Sequence, residues 1–101
     1  MESFDSLFDQ AESALSNGAE VLGLISSSAE IEPIQKQRLA IGVSRLTERI
    51  ALNGRLVLES LGRGDEAGCC LAAEILTRHI EIARNVLPSI TARLTQGVLN
   101  A

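Results

Sequence analysis

Pro33–Leu61, PIQKQRLAIGVSRLTERIALNGRLVLESL, is the stretch that decides the fold. Wound at 100° per residue, it gathers Leu39, Val43, Leu46, Ile50, Val57 and Leu61 into one stripe, with Asn53 at the remaining seam position. Their spacing is three and four throughout, which is helical and not strand-like. Proline is favoured in the first turn of a helix, so Pro33 marks the start. Asn53-Gly54 interrupts the run without shifting its register and is read as weakened continuity, not a turn. A helix over 33–61 would be about 43 Å long at 1.5 Å per residue. Gly62-Arg63-Gly64 ends it, and Asp65 is placed to cap the next helix.

The flanking sequence repeats the pattern. Phe4, Leu7, Phe8, Ala11, Leu15, Gly18, Leu22 and Ile25 share one face over about 4–26, with Asp5, Asp9, Glu12 and Glu20 opposite. The stripe keeps its phase through Asn17-Gly18, so that pair too is kept inside the helix. A third helix over about 65–87 carries Cys69, Ala72, Ala73, Leu76, Ile80, Ala83 and Leu87, widened by Ile75, Ile82 and Val86. Pro88 should break it, because proline lacks the amide donor and clashes with the preceding turn. Ser89 would then cap a short helix over about 89–99 with Ile90, Leu94 and Val98. The expectation is one all-α domain over residues 1–101, an up-down-up bundle with a short C-terminal helix.

Composition narrows the function. Of 101 residues, 46% are hydrophobic and 22% charged, which excludes a disordered chain. No apolar run is long enough to span a bilayer, and Met1-Glu2-Ser3-Phe4-Asp5 lacks a basic leader, so a cytoplasmic protein is expected. Phe4 and Phe8 are the only aromatic residues, leaving little on which bases could stack. The net charge of −4 is divided unevenly. Residues 1–35 hold seven acids and no base, whereas residues 36–101 hold nine bases against six acids.

Few residues could carry chemistry. Cys69-Cys70 diverge by about 100° on a helix and lack the two-residue spacing of a zinc pair. They are read as one buried and one incidental thiol. His79 has Ile75, Leu76, Ile82 and Ala83 at its helical neighbours, with no carboxylate to orient it as a base. Arg78-His79-Ile80-Glu81-Ile82-Ala83-Arg84-Asn85 is similar to the phosphoacceptor segment of helical phosphotransfer proteins and sensor-kinase dimerisation helices. It lacks the acid, lysine and glycine those patterns place after the histidine, so a partly buried helix-contact histidine is expected instead. No phosphate loop, catalytic dyad or triad is present. No enzyme, cofactor or metal is expected.

Two surface patterns remain. Arg38, Arg45, Arg49 and Arg63 lie within about 40° of arc on the second helix. They are expected to face the acids of the first helix or solvent, with an acidic protein or nucleic-acid phosphate as alternative partners. Ile34, Ile41, Leu52 and Leu56 lie about 100–180° from the centre of the main stripe, and Leu71 and Ile82 flank the third helix. One small bundle cannot hide two apolar faces per helix. These six residues are therefore a candidate homodimer or partner interface. Leu61-Gly62-Arg63-Gly64-Asp65, with the small size and acidic charge, is similar to a hairpin of flagellar and type III export chaperones. The likeness covers five residues and assigns no family. The expected role is non-enzymatic: a small acidic adaptor, anti-activator or secretion-type chaperone. The alternative is a nucleic-acid-binding regulator using the arginine stripe.

Overall fold

The computed structural model describes residues 2–96, and side chains over 4–95. Three helices follow one another: α1 (Glu2–Ser27), α2 (Pro33–Arg63) and α3 (Glu66–Gln96). No strand occurs among the described residues. Each helix packs against the other two, in a rod of 52 × 22 × 16 Å. Neither Asn17-Gly18 nor Asn53-Gly54 breaks its helix.

One core runs the length of the rod. Ile25, Val43, Ile50, Val57, Leu76 and Ile80 are its largest fully buried side chains. On α2 the inward positions are Val43, Ile50, Asn53, Val57 and Ser60, in steps of seven, three, four and three. Ser60 takes the place expected for Leu61, which is 46% exposed. The α2 terminus explains the exchange. Gly64 adopts a left-handed φ of 70°, its N–H donates to the Leu61 carbonyl, and the Asp65 N–H donates to Ser60. This pair of bonds closes the helix on a glycine that needs no side chain, and it ends the inward stripe at Ser60. Asp65 then caps α3 as expected, its carboxylate accepting the Gly68 N–H at 2.9 Å.

Two expectations fail. Pro88 does not end a helix: α3 continues through it to Gln96, and no separate helix over 89–99 forms among the described residues. Val98 lies outside them. Leu87 is buried on one side of the proline, and Ile90 and Leu94 pack on the core beyond it. Covering those side chains outweighs the local penalty, because tertiary burial overrides propensity. On α1 the inward residues are Ala11, Ala14, Gly18, Val21 and Ile25, while Leu15 and Leu22 are only partly buried. The helix is rotated so that small residues meet its neighbours.

Gly18 shows why. A β-carbon there would overlap the Thr47 γ-methyl on α2. Thr47 cannot easily turn away, because its hydroxyl donates to the Ser44 carbonyl at 2.9 Å and fixes the rotamer. Gly18→Ala should therefore lower stability by about 1–2 kcal/mol despite the better helix propensity of alanine. Adding Thr47→Ser, which removes the methyl, should recover most of that loss in urea unfolding.

The α1–α2 connection is held at both ends. Ile31 is buried within it. The Lys36 ammonium donates to the Ser26 carbonyl at 3.2 Å, neutralising a C-terminal carbonyl of α1, a helix with no basic residue in its own last turn.

Candidate interaction surfaces

The apolar residues singled out from sequence all reach the surface. Leu71 is 61% exposed, Ile34 58% and Leu52 50%, and Ile41, Leu56 and Ile82 are exposed as well. Leu58, Leu61 and Val86 join them. Leu61 and Val86 had been expected on the buried stripes. Every exposed large hydrophobic among the described residues lies on α2 or α3, and none on α1. The outward side of α1 is instead polar, with Asp5, Asp9, Glu12 and Glu20 exposed.

The arginine stripe stands apart from those acids. Arg38, Arg45 and Arg49 are exposed and make no ion pair with a described residue. Arg63 reaches only Asp65, at 4.0 Å on the open surface, an arrangement contributing well under about 1 kcal/mol. Of the two placements expected for the stripe, beside the α1 acids or facing solvent, the described residues show the second. The two helices meet through Gly18, Thr47 and Val43, on the opposite side of α2 from its arginines.

A feature with no sequence signal is a groove of about 700 Å³ between α1 and α3. Ala14, Val21, Ala83 and Leu87 form its floor, and Asp9, Glu20, Arg84 and Pro88 stand at its sides. It opens where alanines face each other across two helices distant in sequence. Arg84, the cation lining it, donates to Gln10 Oε1 at 2.7 Å and bridges α3 to α1.

The remaining candidates are structurally committed. His79 is half-buried, with Nδ1 2.8 Å from the Ile75 carbonyl. A carbonyl only accepts, so Nδ1 carries the proton in this contact. Asn53 is buried, and its amide donates to the Arg49 carbonyl at 2.8 Å. Cys69 is buried and Cys70 exposed, and both are free thiols. Burial pushes the Cys69 thiol above its ordinary range, and Cys70 and Asp65 add to the shift. Cys69 therefore stays protonated at neutral pH and is a poor nucleophile. Iodoacetamide at neutral pH should label one thiol per native chain and two in denaturant; two rapid native labels would contradict the burial. Among the described residues no His, Cys, Asp and Glu cluster could hold a metal ion. No described helix is long and apolar enough to cross a membrane.

No known protein family, curated protein or solved structure matches this chain.

Proposed function

We propose that the protein is a non-enzymatic helix-docking module, in which α2 and α3 present an apolar surface to a helical partner or to a second copy. The observation that carries this reading is the segregation of every exposed large hydrophobic among the described residues onto those two helices. Fully covering one Leu or Ile is worth roughly 1.5–3 kcal/mol, so half-covered side chains in this number leave several kcal/mol for a partner to recover. A small acidic adaptor, anti-activator or secretion-type chaperone, acting in the cytoplasm and forming a homodimer, fits such a surface. The connections over 28–32 and 64–65 are short, which supports an up-down-up course with α2 antiparallel to α3.

Sedimentation velocity tests the reading. The wild type should sediment above its 10.8 kDa chain mass. Leu52→Asp with Leu56→Asp should return it to the monomer with helicity unchanged. A wild type that stays monomeric alone and with its co-purifying partners removes the basis of the proposal.

The unpaired exposure of Arg38, Arg45 and Arg49 favours a second reading, a nucleic-acid regulator. There, Arg45→Glu with Arg49→Glu would abolish retention on nucleic acid at low salt while leaving helicity intact.

A further inference from the structure

The arginine face of α2 and the α1–α3 groove have matching patterns. From its N-terminal end, the outward side of α2 reads Ile34, Arg38, Ile41, Arg45, Arg49, Leu52, in steps of 4, 3, 4, 4 and 3. From its C-terminal end, the α1 wall of the groove contains Leu24, Glu20, Asn17, Ser13, Asp9, Ser6, in the same steps. Laid antiparallel, Ile34 falls on Leu24, Arg38 on Glu20, Arg49 on Asp9 and Leu52 on Ser6. Both arginines meet acids that have no ion-pair partner among the described residues of their own chain. Between them Ile41 falls on Asn17 and Arg45 on Ser13, with Ile41 above the floor of Ala14, Val21, Ala83 and Leu87. The groove is wide because alanine lines it, which is what admits a fourth helix to a three-helix bundle.

We propose that the groove between α1 and α3 receives α2 of a second copy of this chain, antiparallel to α1, with Arg38 on Glu20 and Arg49 on Asp9. The inference rests on the helix-docking reading, names one partner for it, and replaces a closed homodimer by an open head-to-tail assembly. In a three-helix rod, the outward side of α2 points away from the groove between the other two helices. The contact is therefore heterologous: each copy offers one α2 face and one groove on opposite sides, so association continues head to tail beyond a dimer. This self-contact gives Asp9 and Glu20 basic partners that no described residue of the same protomer supplies. Leu56, Leu71 and Ile82 lie outside it and stay available.

Charge reversal at exposed positions tests the contact without touching the core. Variant A is Arg38→Glu with Arg49→Glu; variant B is Asp9→Lys with Glu20→Lys. The wild type should show a sedimentation coefficient that rises steadily with concentration at low salt. A or B alone places like charges across the contact and should weaken self-association roughly tenfold or more. An equimolar mixture should recover it, because the acidic α2 of A fits the basic groove of B and the reverse pairing is wild type. The chain carrying all four substitutions should recover it as well. Failure of the mixture and the four-fold variant to recover association overturns the proposal, as does a wild type that stops at a dimer. If A and B associate like the wild type while Leu52→Asp with Leu56→Asp does not, head-to-tail docking falls and the helix-docking reading stands. A monomer under all conditions overturns the head-to-tail contact.

Discussion

Replacing Leu76 by alanine should lower the stability of the protein by about 3–5 kcal/mol. Leu76 has no exposed surface and sits in the first half of α3, within the core cluster to which all three helices contribute. Truncation removes buried methyl groups and leaves a cavity whose walls belong to three long helices. These cannot collapse inward at one point without losing contacts along the rod, so little of the cost is relieved. Leu71 is the internal comparison, five positions earlier on the same helix and 61% exposed. Leu71→Ala should change stability by less than about 0.5 kcal/mol. Urea unfolding followed by circular dichroism, at one fixed protein concentration, measures both. A Leu76→Ala loss below about 1 kcal/mol would contradict the assigned core.

Pro88→Ala should act in the opposite direction and raise stability by about 1–3 kcal/mol. Pro88 sits inside α3, where it supplies no amide to the Arg84 carbonyl and presses its ring against the preceding turn. The helix persists because Leu87, Ile90 and Leu94 hold it on the core from both sides. Alanine restores the hydrogen bond and removes the clash while leaving those three contacts in place. Pro88 is exposed, so its removal opens no buried cavity. The same urea titration reads the gain. A loss of stability in Pro88→Ala would mean that the ring packs productively where it lines the groove beside α1.

The helical class and the first two connections were legible because long stripes at three-and-four spacing leave no other periodic solution. Pro33, Gly64 and Asp65 stood where helix ends require them. Pro88 was misread because its signal is local, whereas the burial of Leu87, Ile90 and Leu94 depends on helices elsewhere in the chain. The rotation of α1 was missed for a related reason. Leu15 and Leu22 dominate a hydrophobic wheel, yet the close approach at Thr47 demands the smaller Ala14 and Gly18 side of the helix. Over six turns, seams in steps of three and four also drift away from a fixed 100° wheel.

The candidate surfaces divide in the same way. Ile34, Ile41, Leu52, Leu56 and Leu71 could be found from sequence, since each lies off a stripe long enough to define inside, whereas Ile82 sits at a stripe's edge and reads as either. The groove could not. It consists of missing side-chain volume at Ala14 and Ala83, which only the packing of α1 on α3 brings together. The partnership of the arginines was also beyond a wheel, because it depends on which side of α2 turns toward Gly18.

On the proposed reading, the apolar side of α2 and α3 becomes covered in the protein's working state. Methyl NMR with a soluble paramagnetic probe measures this directly, residue by residue, in dilute protein and in the associated state. The methyls of Ile34, Ile41, Leu52, Leu56, Leu71 and Ile82 should be strongly broadened when dilute, and a contiguous set of them that includes Leu52 should be protected on association, with Ile50 and Leu76 protected throughout. Methyls of all six surface residues broadened equally in both states would mean that no part of this surface is covered.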